Sequence, residues 1–209
     1  MKTMLTTATN FPMPIVTPRL TLCQPDVSGA KKYFDAVTES MNEIKLWLPW
    51  ARYYPTISQV EEYIRECGVN WITKTNNNFG LPLWIIEKES GEFIGNITIW
   101  NINWDIPKFE FGYWCRTSKT KNGYITEAVN ALTQYCFTEL GVRRIEIRCE
   151  INNIRAQVIP KSLGFDLDGI LRNSTIAISN GELTDTIIFS CTNPKNLPAL
   201  DGVLRSENN

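Results

Sequence analysis

Apolar and polar residues alternate along residues 18–24 (PRLTLCQ), the period of two that a half-buried strand imposes. Asp26 or Ser28 is placed to cap a helix running to about Ser40. Residues 44–56 (IKLWLPWARYYPT) follow, dense in aromatic rings and broken by Pro49 and Pro55. Ser58 with Glu61 three residues on has the form of a capping box and opens a second helix to about Thr75. Residues 81–88 and 92–103 are strand-like, with KESGE between them as a hairpin turn. KFEFGYWCR, 108–116, is the next strand. A helical pattern over 124–140 ends at Gly141, the position after a helix that favours glycine. RRIEIRCEI, 143–151, alternates strictly and predicts a strand. A helix over 154–163 ends at Gly164, and strands 165–178 and 183–191 meet around SNGE, a strong hairpin turn. The polar tail after Pro194 is expected to fray.

The order β-α-α-β-β-β-α-β-α-β-β predicts an α/β (α+β) chain with one mixed sheet and helices on both faces. A length of 209 residues suits one sizeable core, and no repeat or low-complexity linker divides it. The expectation is a single domain over 1–209, with its core at about 15–191 and flexible termini.

Composition narrows the chemistry. The formal net charge is −1, which gives no global basic field to attract nucleic acid or an anionic membrane. No apolar run reaches the length of a membrane span, and the N-terminal residues carry no sustained apolar core of the signal-peptide kind. The six cysteines are scattered and form no CxxC pair, so zinc is not expected and a reducing, cytoplasmic setting fits best. The chain has no histidine. That absence excludes Ser-His-Asp and Cys-His hydrolase arrangements, and any base must be a carboxylate, Tyr, Cys, Lys, an amine terminus or water.

The segment GYWCRTSKTKNGYITEA, 112–128, runs from an aromatic strand end through a lysine-bearing loop to one glycine and a helix start. This arrangement suits a phosphate, because a helix start offers free backbone N–H groups and the positive end of its dipole. It matches neither the P-loop nor GxGxxG.

Five segments in order carry a resemblance: TPRLTL (17–22), ESMNEIKLWLPWA (39–51), GEFIGNITI (91–99), FGYWCRTSKTKNGYITEAVNAL (111–132) and NNIRAQVIPKSLGFDLDGILRN (152–173). Together they resemble the GNAT superfamily of N-acetyltransferases and, within it, the RimJ/RimL-like group that acetylates the N-termini of ribosomal proteins. The resemblance spans roughly residues 15–191. It implies a mostly antiparallel twisted sheet of about seven strands, splayed between the fourth and fifth. It also implies acetyl-CoA as co-substrate, no metal, and a primary amine, most readily a protein N-terminus, as acceptor. The amine attacks the thioester directly in a ternary complex. Alternatives are acetylation of a small amine (a polyamine, amino acid or drug) and a CoA-binding sensor without activity. Acidic residues ringing the acceptor tunnel would favour a polycation. The chain is expected to be a monomer or homodimer, with the hairpin around Asn180 as a possible contact.

Carried over residue by residue, the resemblance places pantetheine beside Trp114, Cys115 and Arg116. It places the pyrophosphate at Lys121, Asn122, Gly123, Tyr124 and Ile125, and a further pantetheine contact at Asn153, which also suits a helix cap. Only Gly123 survives from the usual loop pattern; Thr120, Lys121 and Ile125 replace its other members. The two usual proton donors are absent, their positions being Pro160 and Ala156. Glu110, among Phe109, Phe111 and Trp114, is the candidate base with a raised pKa, and Glu39 is the second candidate. A backbone N–H near Trp114 and Cys115 would serve the thioester oxygen. Cys115 is also a conceivable nucleophile, without a histidine to activate it. Glu39, Trp47 and Trp50, with Tyr53 and Tyr54, are candidate walls of the acceptor pocket, and Arg19 and Arg172 read as structural.

Overall fold

The computed structural model describes residues 11, 13–73 and 80–200, and the backbone of Leu204–Arg205. Its strands are β1 (Ile15–Val16), β2 (Leu20–Cys23), β3 (Leu81–Glu87), β4 (Phe93–Asn103), β5 (Lys108–Cys115), β6 (Arg144–Glu150), β7 (Asp166–Ile176), β8 (Leu183–Cys191) and β9 (Leu204–Arg205). Its helices are α1 (Ala30–Ile44), α2 (Ile57–Thr73), α3 (Tyr124–Glu139) and α4 (Ile154–Ser162). All strands join one sheet in the order β7-β8-β6-β5-β4-β3-β2-β1-β9.

β4 occupies the middle of this sheet, and Phe93–Ile99 is buried on both faces. Its two faces see different layers. Ile97 and Ile99 join Phe109, Phe111 and the α3 residues Ala128, Val129 and Leu132 in one core. On the other face, Trp84, Phe93 and Trp114 pack with Tyr33, Val37 and Met41 of α1 and Val60 and Ile64 of α2. Burial of each Val, Leu, Ile, Met or Phe side chain among these contributes about 1.5–3 kcal/mol. Helices therefore cover both faces, as the alternation of strands and helices predicts.

The sheet is antiparallel except where β5 meets β6, because α3 carries the chain back to run β6 alongside β5. This parallel pairing is short. It couples Lys108–Phe111 to Arg144–Ile147 and then stops. Beyond that point β5 stays with β4 through Cys115, while β6 stays with β8 through Glu150. The two strands splay, and among the described residues one edge of Gly112–Cys115 has no strand beside it.

Several boundaries differ from the sequence expectation. α1 begins after a 3-10 turn that Asp26 caps, its Oδ1 accepting from Ser28 N at 2.8 Å, and it runs four residues past Ser40. Met41 and Ile44 continue its buried stripe. The capping box of α2 is Thr56 with Gln59 rather than Ser58 with Glu61. Gln59 N donates to Thr56 Oγ1 (3.2 Å), and Thr56 N donates to Gln59 Oε1 (2.8 Å). The same three-residue spacing occurs two residues earlier, directly after Pro55, and captures the helix start. The expected end at Thr75 lies outside the described residues, as do residues 1–10 and 206–209, where flexible termini were expected.

The segment after Pro194 does not simply fray. Leu197 is buried, the Pro198 carbonyl accepts from Asn130 Nδ2 (2.9 Å), and Leu204–Arg205 pairs with Ile15–Val16. A strand of two residues carries too short an alternation to announce itself, so β1 and β9 add to the seven strands legible in sequence.

Candidate active site

Two cavities meet at the splay. One, of about 370 Å³, lies between the end of α1, the β5 edge, the α3 start and α4. The other, of about 300 Å³, lies between α1, α2, β4 and β5. Leu48, Tyr113 and Trp114 line both, so a group bound in one reaches the other at the point where β5 leaves β6.

The larger cavity is built by the loop that joins β5 to α3. Gly123 ends this loop in the left-handed region (φ +76°) and offers no side chain to cap α3. The first bond back to it within α3 comes from Glu127 N to Gly123 O, at 3.0 Å. The amides of Tyr124, Ile125 and Thr126 precede that bond and have no partner four residues back in the helix. Gly123 through Thr126 line the cavity, together with Lys119 and Lys121. Thr117 also lines it, and its hydroxyl is buried with no hydrogen-bond partner among the described residues. Free amides, a helix dipole, the charge of Lys121 and an orphaned hydroxyl fit an anionic, hydrogen-bonding guest such as a pyrophosphate with its pantetheine arm, whereas Lys119 is paired with Glu92 and Glu87.

The loop is held from both sides. From the bend just before β2, Arg19 donates to Asn122 O (3.0 Å), stacks over Tyr124 at 4.6 Å and pairs with Glu127 (2.6 Å). From α1, Glu39 accepts from Arg116 Nε (2.6 Å) and Ser118 N (2.8 Å), and Ser40 accepts from Thr117 N (3.0 Å). Burial opposes the charge of Glu39, but the bonds from Ser118 and Arg116 outweigh it and hold the carboxyl below its usual range.

The structure thus distributes the predicted residues unevenly. Trp114, Cys115, Lys121, Gly123, Tyr124, Ile125 and Asn153 gather on the larger cavity. Asn153 also caps α4, its Oδ1 accepting from Ala156 N at 3.1 Å. Arg116 and Asn122 do not line the cavity; they brace the loop. Trp50 lines the smaller cavity, whereas Trp47 lines the larger one and Glu39 lines neither. Glu110 also lies outside both cavities, accepting from Asn101 Nδ2 (2.7 Å) and facing Arg148 Nε (3.5 Å). Strand spacing puts it roughly 13 Å along β5 from Trp114. Burial pushes the Cys115 thiol up to about 12, so it stays protonated at neutral pH.

Sequence reasoning missed Tyr113. It lines both cavities, and its hydroxyl donates to Ala156 O of α4 at 2.8 Å, across the splay. A signal for it was present in Pro160. Pro160 lies inside α4 and has no N–H, so the Ala156 carbonyl four residues back has no helical donor. The Tyr113 hydroxyl takes that place.

Comparison with known proteins agrees with this geometry. Residues 19–166 match the acetyltransferase (GNAT) domain family. The N-acetyltransferase p20 of Bacillus licheniformis is 35% identical over 137 residues, covering 66% of this chain and 74% of that protein. The ribosomal-protein-serine acetyltransferase of Escherichia coli is 28% identical over 130 residues, covering 62% of this chain and 72% of that protein. Among solved structures, Mycobacterium smegmatis RimJ in complex with CoA-disulfide superposes with a TM-score of 0.75 at 19% identity, covering 91% of each chain. With its family match spanning well over half the sequence and its splayed sheet, the chain belongs to the GNAT family of acetyltransferases.

Proposed function

We propose that this acetyltransferase moves the acetyl group of acetyl-CoA to the N-terminal α-amine of a polypeptide, with both substrates bound at once. The observation that carries the reading is the meeting of two cavities at Tyr113 and Trp114. The larger cavity takes CoA. The amides of Tyr124 to Thr126 and the charge of Lys121 hold its pyrophosphate, and the open edge of Gly112–Cys115 takes pantetheine as an added strand. Arg116 N–H donates to Ile94 O on β4, at 2.8 Å. N–H directions alternate along a strand, so the Cys115 N–H points into the splay, where negative charge develops on the thioester oxygen.

The smaller cavity takes the acceptor. Among the described residues no Asp or Glu lines it, which disfavours a polycation and leaves no carboxylate base within it. An α-amine, with pKa ~7.7–8.0 against ~10.4 for lysine, supplies enough neutral amine near pH 7.5 without one. Trp50 and Tyr53 line the cavity and stand largely exposed, with Tyr54 exposed nearby, as a docking rim for a chain suits. The kinship to a ribosomal-protein-serine acetyltransferase supports the same class.

The test pairs calorimetry with turnover. CoA should bind at micromolar concentration, and thiol release from acetyl-CoA should accelerate when a peptide with a free N-terminus is added. No heat at millimolar CoA would overturn the donor assignment. Binding without thiol release would mark a CoA sensor.

A further inference from the structure

Among the described residues, a buried polar atom on the acceptor-side cavity is left unpaired. Asn96, on β4, is 4% exposed and lines this cavity. Its Nδ2 donates to Thr98 Oγ1 at 2.8 Å, but its Oδ1 has no hydrogen-bond partner among the described residues. Buried side-chain oxygens are nearly always paired, and an exception facing a cavity marks a place where a guest supplies the donor. The position matters as much as the vacancy. Asn96 pairs in register with Trp114, the residue at which the two cavities meet. The remaining lining is uncharged and dominated by rings, among them Tyr33, Trp50, Tyr63, Trp100 and Trp114.

We infer that Asn96 Oδ1 accepts a hydrogen bond from the attacking amine, and that the surrounding rings select an acceptor whose first residue is bulky and apolar. This inference rests on the acceptor reading of the smaller cavity. Neutral amines carry N–H donors and a lone pair. A bond from one N–H to Asn96 fixes the nitrogen beside Trp114 and leaves the lone pair free to attack. A charged first side chain would be stripped of water in this cavity without a countercharge, whereas an aromatic or long aliphatic one exchanges water for ring contacts. Asn96 is therefore a positioning residue for the acceptor.

The experiment reads acceptor binding apart from chemistry. Peptides identical except for a first residue of Phe, Leu, Asp or Lys are titrated into protein saturated with CoA, which carries no acetyl group to transfer. Turnover with acetyl-CoA is measured in parallel. The Phe and Leu peptides should bind at least tenfold tighter than the Asp and Lys peptides. Asn96→Leu should weaken Phe-peptide binding at least tenfold and raise its KM more than it lowers kcat, with CoA affinity within twofold of wild type. Asn96→Thr, which keeps an oxygen on a strand-favouring residue, should lose less than the Leu variant and serves if the Leu variant does not fold. Equal binding by wild type and both variants, or tighter binding of the Asp or Lys peptide, overturns the inference. If peptides bind as expected but no acetyl group moves, the inference stands and the proposed activity fails. If wild type binds no peptide, both fall.

Discussion

Tyr113 donates its hydroxyl hydrogen to the Ala156 carbonyl, 2.8 Å away, and so stands in for the N–H that Pro160 lacks. One bond thereby ties the free edge of β5 to the first turn of α4 and sets the width of the splay. Tyr113→Phe should lower stability by about 1 kcal/mol, the net worth of a hydrogen bond to a half-buried carbonyl, as read by urea denaturation. Pro160→Ala restores an N–H to the helix. In that background the Tyr113→Phe cost should fall by at least half. Equal costs in both backgrounds would mean that the hydroxyl contributes something other than this bond.

Gly95 tests the β5 edge from the other side. A Cβ there would sit 2.3 Å from the Trp114 carbonyl oxygen and 3.2 Å from Cys115 Cα, both backbone atoms that cannot swing aside. Gly95→Ala should push β5 outward at the junction of the cavities. The expected outcome is a loss of about 1–3 kcal/mol of stability, seen as a lower Tm, with CoA affinity reduced at least tenfold. Unchanged affinity would show that pantetheine does not use this edge.

Lys121 adopts φ +65°, a conformation that costs a non-glycine residue about 1–2 kcal/mol. In the CoA reading proposed above, the charge it brings to the larger cavity offsets that strain when an anion is bound. Lys121→Gly should raise Tm in the absence of ligand, while Lys121→Ala, which keeps the strain, should not. Both should weaken CoA several-fold, by loss of charge. Calorimetry that finds CoA affinity unchanged in both variants would remove Lys121 from the pyrophosphate site.

The pH dependence separates the remaining chemistry. With its thiol pushed up to about 12, Cys115 has no thiolate to offer between pH 6 and 9, so Cys115→Ala should keep turnover within about threefold. Glu110 lies outside both cavities, so Glu110→Gln should leave the rate profile unchanged. In both variants kcat/KM should rise with pH through the ordinary pKa of the acceptor amine, ~7.7–8.0, because the neutral amine is the nucleophile. Loss of that rising limb in Glu110→Gln would restore it as the base.

The sequence made most of this fold legible because its seven longer strands and four helices carry full periods of apolar residues. The β5-to-α3 loop was legible for a similar reason: Gly123 stands between a strand pattern and a helix pattern. What stayed hidden depends on tertiary neighbours. Glu110 sits among aromatic residues in sequence, yet strand alternation turns it toward Asn101 and Arg148 rather than into a cavity. Glu39 and Trp47 belong to the segment read as the acceptor wall, but the helical turn of α1 and the residues after it aim them at the loop and the larger cavity. Asn96 is one polar residue within a strand pattern, with nothing in the sequence to single it out, and only the cavity beside it gives its carbonyl oxygen a role.

The activity proposed for this chain is transfer of an acetyl group from acetyl-CoA to the α-amine of a polypeptide. It is tested most directly by mass spectrometry on a panel of peptides with free N-termini, the same peptides blocked at the N-terminus but containing lysine, and small amines including a polyamine. Each would be incubated with the wild-type protein and acetyl-CoA near pH 7.5. The free-terminus peptides should gain one acetyl group, placed on the first residue by fragmentation, with little on the blocked peptides or the polyamine. Preferential acetylation of the polyamine or of lysine side chains, with free N-termini left unmodified, would contradict it.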